Sequence, residues 1–196
     1  MVISFYPADF RRSGFLKQCK TKLTKTNSYK IMTQELINKT REYLDYVERH
    51  YNNVQKAWKE ITEKCKGQGF NWLYDDSIWF QIDENIKHHD KSKLSPDEFC
   101  QYRQFFYTTK NEVKNKDVFM IAWNNHLKLN SHHWQNWTIK NPNSIEFLIE
   151  NICDWMAMGY EFGDTAKEYY ENNKDKIDLP EWAVKHMYEI FNIIYK

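Results

Sequence analysis

The sequence is short of the residues that make turns. Five glycines and four prolines serve 196 residues. A turn-rich β protein needs more of both, so the scarcity points to long helices. No apolar run approaches the about 18 residues of a membrane-spanning helix, so no membrane is expected and a cytoplasmic setting is. The four cysteines, Cys19, Cys65, Cys100 and Cys153, lie far apart and form neither a CxxC pair nor a zinc-ribbon pattern. They read as free thiols in a reducing compartment. Charge of one sign is lacking too: 28 Lys and Arg stand against 27 Asp and Glu. No global field favours nucleic acid or a membrane surface. The chain also has no internal repeat and no low-complexity tract.

What is present is aromatic and amphipathic. Eight Trp, thirteen Tyr and twelve Phe make up 17% of the chain, enough to fill a helical core and leave rings free to stack on a base. The length suits one domain. Residues 1–31 stand apart: Arg11, Arg12, Lys17, Lys20, Lys22, Lys25 and Lys30 oppose a single acid, Asp9. They read as a basic arm or extension with little to bury, ahead of a helical domain over 32–196. Nucleic-acid binding through that arm is the weakest of the functional readings.

The 3.6-residue period predicts a helix over 32–65, with Leu36, Thr40, Tyr43, Leu44, Val47, His50, Val54, Ala57, Trp58 and Ile61 on its inner face. A second helix is expected over 75–89, with Ile78, Trp79, Ile82 and Ile86 inward. His89 and Asp90 follow Ile86 by three and four residues and extend that stripe, whereas His88 turns to the opposite face. Ser95, Pro96 and Glu98 read as a capping box opening a helix to about residue 107. A helix over 117–130 turns Phe119, Ala122, Trp123, His126 and Leu129 to one side. Residues 131–137 form an aromatic-histidine segment, and Asn141-Pro142-Asn143 breaks the chain. Ser144 caps a helix over 145–158, from whose stripe Asp154 falls away. A short helix follows Asp164, Pro180 opens a last one, and His186 reads as surface.

His50, His89, Asp90 and His126 therefore all fall on inner faces. A buried aspartate without a cation or donors is costly, and a metal removes that cost for the whole cluster. Imidazole with carboxylate suits Mn, Fe, Co, Ni, Zn or Mg, and such sites commonly activate water.

At these residues the sequence resembles the HD-domain superfamily of metal-dependent phosphohydrolases. Its pattern is an early helical His, an adjacent His-Asp at the end of a later helix, and a distal Asp. Here those are His50, His89-Asp90 and Asp154. The resemblance implies an all-α, HD-domain-like helical bundle holding one or two divalent ions. His50, His89, Asp90 and Asp154 would bind one ion. Asp90 would bridge to a second, held by His126 and either His132 or His133. Lys93, three residues after Asp90, matches a lysine of the phosphodiesterase members and would stabilise phosphate charge. The chain also looks like a phage and bacterial family with an HDxSKxSPxEF run, an AWxxH segment, NxHHW and DWMAM, all present between His89 and Gly163. The implied function is hydrolysis of a nucleotide or related phosphoester, as a phosphodiesterase or nucleotidase. The alternative is a non-catalytic module that binds a nucleotide or protein and keeps a structural metal.

Overall fold

The computed structural model describes residues 34–137 and 144–196. The basic arm at 1–31 and the break at Asn141-Pro142-Asn143 lie outside the described residues. Among the described residues, seven α-helices carry the fold: α1 (Gln34–Cys65), α2 (Asp76–Lys87), α3 (Phe99–Phe106), α4 (Lys116–Leu129), α5 (Ile145–Phe162), α6 (Ala166–Asn173) and α7 (Glu181–Ile194). Short 3₁₀ turns at Asn71–Leu73, Lys91–Leu94 and Trp134–Asn136 join them. No strand occurs among the described residues. The protein is an all-α bundle, as the shortage of glycine and proline predicts.

Helix boundaries follow local chemistry. The Asp75 side chain accepts from the amides of Ser77 and Ile78 to start α2, and Asn115 accepts from Val118 to start α4. Each removes an orphan donor of a first turn. Thr165 and Glu168 close a full capping box on α6. Gly67, with φ +79°, takes the left-handed conformation that ends α1. Lys64 donates to the carbonyl of Ile194, tying the end of α1 to the end of α7.

Two expected caps are absent. Ser144 makes no side-chain bond at the start of α5. Ser95 does not cap α3 either: its hydroxyl is buried without a partner. Helix α3 begins at Phe99, and the Glu98 side chain is committed elsewhere. Helix α5 also runs four residues beyond its expected end, through Gly159, and stops at Gly163 with φ +90°.

The core has two parts. The larger joins Val54, Ala57, Trp58 and Ile61 of α1 to Ile82 and Ile86 of α2, to α5 from Leu148 to Ala157, and to Met187, Ile190 and Phe191 of α7. The smaller is aromatic: Tyr43 of α1, Tyr102 of α3, and Phe119 and Ala122 of α4. Fully burying each aliphatic side chain contributes about 1.5–3 kcal/mol. The inner stripes were drawn slightly too wide, because Leu44, Trp79 and Leu129 are exposed at their edges. Helix α5 is buried on every side between Leu148 and Ala157. On α1, His50 lies between Tyr43 of the aromatic cluster and Val54 of the main core.

Gly159 marks a close approach. A Cβ there would sit 2.3 Å from the backbone oxygen of Asp164, where backbone cannot yield as a side chain can. Gly159→Ala should therefore destabilise by about 1–3 kcal/mol, measured by chemical denaturation, with helical circular dichroism retained. A stabilised variant, as expected from helix propensity alone, would contradict this packing.

Candidate metal centre

The chain reverses sharply where the site is built. Helix α2 ends at Lys87, and His88 caps it with its ring outside, Nδ1 lying 2.9 Å from the Glu84 carbonyl oxygen. Asp90 then takes φ 53° and ψ 21°, a left-handed conformation rare for a side-chain-bearing residue. Short polar side chains tolerate it best. This kink, rather than continued helix, turns both His89 and Asp90 inward. The following 3₁₀ turn returns Lys93 to the same point, where its Nζ lies 2.6 Å from Asp90 Oδ2.

All seven expected ligand residues converge, and each is at most 6% exposed. His50 Nε2 lies 3.2 Å from His89 Nε2, 3.2 Å from Asp154 Oδ1 and 3.6 Å from Asp90 Oδ2. His89 Nε2 lies 3.5 Å from Asp90 Oδ2 and 3.7 Å from Asp154 Oδ1. Donors held about 2.1 Å from one cation stand roughly 3.0–3.4 Å apart, close to these spacings. The other oxygen of Asp90 serves a second group: Oδ1 is 3.2 Å from His126 Nε2 and 3.7 Å from His132 Nε2. Three sets qualify as cation-holding clusters: His50–His89–Asp90, His89–His132–Asp154 and Asp90–His126–His133.

The histidine pair at 132–133 is not the choice of one ring or the other that the resemblance implies. Both are buried, and each belongs to a cluster. Asn136 holds their segment by donating to the carbonyls of Leu127 and Asn130, while Trp137 Nε1 donates to Ser131. The chain there is not helical, so no helical period could assign either ring a face.

Two buried glutamates went unnoticed in the sequence. Glu150 Oε1 lies 3.0 Å from Nδ1 of both His89 and His132. Glu98 Oε2 lies 2.9 Å from His126 Nδ1, and Asn125 and Ser92 also donate to this carboxylate. A carboxylate only accepts, so His89 and His126 donate from Nδ1 and can present Nε2 lone pairs to the centre, whereas the His132 Nδ1 contact is close but lacks hydrogen-bond geometry. Glu98 was hidden by its place in an apparent capping motif. For Glu150 the spacing to Asp154, one helical turn, was the available signal.

The electrostatics favour added positive charge. Burial pushes Asp90 up, but His89, Lys93 and His126 outweigh it and hold the carboxyl well below its ordinary range. Asp154 is likewise driven well down, against burial, by His50 and His89. Burial lowers His89, yet Asp90, Asp154 and Glu150 push it to about 10. Burial, then His132 and His126, drive His133 well down, so that ring is neutral and ligand-competent. Among the described residues, four buried carboxylates, Asp90, Glu98, Glu150 and Asp154, thus stand against one buried ammonium, Lys93, which pairs with Asp90. Arg103, the other buried cation, is occupied by Glu112.

The donor atoms fit a divalent ion. Asp90 Oδ1 and Nε2 of His126, His132 and His133 are buried without a hydrogen-bond partner. Asp90 Oδ1 and His126 Nε2 are near each other but form no hydrogen bond. Buried polar atoms are seldom left so, and a shared cation satisfies them together.

His88 and His89 give a paired test. His88 is exposed and touches only its own helix, whereas His89 is buried in two clusters. His89→Ala should abolish metal uptake at the His50 side, and His88→Ala should leave it within about twofold, since a ligand but not a surface residue changes affinity by orders of magnitude. Metal analysis after dialysis checks this, and equal losses would contradict the register around Asp90.

Comparison with curated proteins and with solved structures found no match. A family model of unknown function, DUF5662, matches residues 39–193. That span takes in every candidate ligand and reaches into every helix of the described bundle, and the chain belongs to this family of unknown function.

Proposed function

We propose that the protein is a metal-dependent phosphohydrolase of HD type, acting on a nucleotide or a related phosphoester. The observation that carries the reading is Asp90, whose two oxygens face two different groups of buried imidazoles, with Lys93 against one of them. The order of candidate ligands, His50, His89-Asp90 and Asp154, supports the HD resemblance. Mn, Fe, Co, Ni, Zn or Mg are the candidate ions, one or two per chain.

His50, His89, Asp90 and Asp154 would hold one ion, and Asp90, His126 and His133 a second, with His132 beside both. Divalent ions there would supply Lewis acidity toward a phosphoryl oxygen and lower the pKa of a water. The chain's own residues supply the rest. Lys93 is kept charged by Asp90 despite burial, so its ammonium can neutralise charge developing on a phosphoryl group. Glu150 and Glu98 fix the imidazoles. The Tyr46 ring stacks on His50 at 6.0 Å and lies 5.9 Å from Lys93 Nζ, limiting water around both. Tyr46 and Tyr107 are partly exposed neighbours, 6.3 Å apart, and rings so placed can stack on a base. This favours a nucleotide over a simple phosphoester, whether monoester or diester.

The deep burial of every candidate ligand favours a second reading, a non-catalytic module with a structural metal, since structural sites are closed. Asp90→Asn separates the two. It keeps the side chain's size but removes the charge that both groups share. Hydrolysis with Mn, Co, Mg or Ni, read as phosphate release from nucleotides and as ring opening of cyclic dinucleotides, should fall by at least about 10²-fold. A wild type that is inactive across the panel yet binds a nucleotide tightly would establish the module instead.

A further inference from the structure

Glu150 touches two rings of the cation-holding set His89–His132–Asp154. A single oxygen, Oε1, lies 3.0 Å from Nδ1 of His89 and 3.0 Å from Nδ1 of His132. Those rings come from separate segments, the turn after α2 and the segment after α4, and their centroids are 4.5 Å apart. Glu150 itself sits on α5, one turn before Asp154, and is 6% exposed. The contrast with Glu98 is instructive. Glu98 divides its charge among His126, Asn125 and Ser92, so two neutral donors remain if its imidazole leaves. The two imidazoles are the partners of Glu150 among the described residues.

We propose that Glu150 is a positioning residue that couples the two imidazoles of the His89–His132–Asp154 set, fixing His89 and His132 together in the form that donates from Nδ1 and offers Nε2 to a cation. The proposal rests on the metal-centre reading above. A carboxylate can accept from both rings at once and balance the charge they gain on metal binding. An amide at the same place can accept from one ring, but its NH₂ is repelled by the other Nδ1–H. Glu150→Gln should therefore leave one of the two rings free to turn and weaken the group containing His89. Glu98→Gln should weaken only the group containing His126.

The test is titration of metal-free protein with Co²⁺, read by visible absorbance and by the gain in melting temperature. In Glu150→Gln the class of Co²⁺ binding that uses His89 should weaken by about 10–100-fold, the usual cost of losing a carboxylate behind a ligating histidine, and the class that uses His126 and His133 should hold. The gain in melting temperature should shrink with the weakened class. The metal-free melting temperature should not fall, because the substitution removes negative charge from a site already rich in it. A merely structural role gives the reverse: a lower metal-free melting temperature and unchanged affinities. Equal Co²⁺ affinity in wild type and Glu150→Gln would overturn the coupling and leave the metal centre standing. Absence of Co²⁺ binding by wild type would overturn the metal centre as well. If Glu150→Gln does not fold, the Co²⁺-loaded wild type still decides. Its proton NMR spectrum should contain strongly shifted ring N–H signals that vanish in D₂O, and their absence overturns the proposal.

Discussion

The constraint on which the structure depends is the burial of carboxylates inside an apolar bundle. Asp90, Glu98, Glu150 and Asp154 are all nearly sealed from water. Even after relaxation, each buried ion costs several kcal/mol unless partnered. Helical backbone offers little help, because its amides are used internally. The compensation must come from side chains, and the described structure supplies it with histidines and one lysine. Five histidines, His50, His89, His126, His132 and His133, converge there because the carboxylates demand donors. The unpartnered oxygen of Asp90 and the unpartnered Nε2 atoms beside it leave a remainder that a cation completes.

The fold is arranged around that demand. Helix α1 is long enough to pass from the aromatic cluster to the main core, and His50 lies where the two meet. Helix α5 packs on all sides, which gives Glu150 and Asp154 fixed positions one turn apart. The left-handed residue at Asp90 lets two adjacent side chains face the same point. Backbone of this kind costs of order 1–3 kcal/mol and persists where surrounding structure enforces it. The Lys93–Asp90 contact and the Tyr43 hydroxyl, which donates to the Lys93 carbonyl, provide that enforcement.

Much of this was legible in the sequence, and the failures have physical causes. His50 and His126 lie on amphipathic stripes, so a 3.6-residue period alone turns them inward. His89 and Asp90 were placed correctly by extending that period, although a kink does the work. Asp154 was not assignable by period, because a helix buried all round has no outer face to contrast with. His132 and His133 sit on irregular backbone, where no period applies. Glu98 mimicked a capping residue, and only the position of α4 reveals that its carboxylate faces His126.

Charge shared at Asp90 dictates where cations settle. Crystals grown with Mn²⁺ or Co²⁺, with data collected at the metal absorption edge, locate them directly. A peak within coordination distance of His50, His89, Asp90 and Asp154 is the predicted result, with a second position shared by Asp90, His126 and His133. An ordered, metal-saturated crystal with no peak among His50, His89, Asp90 and Asp154 would contradict it.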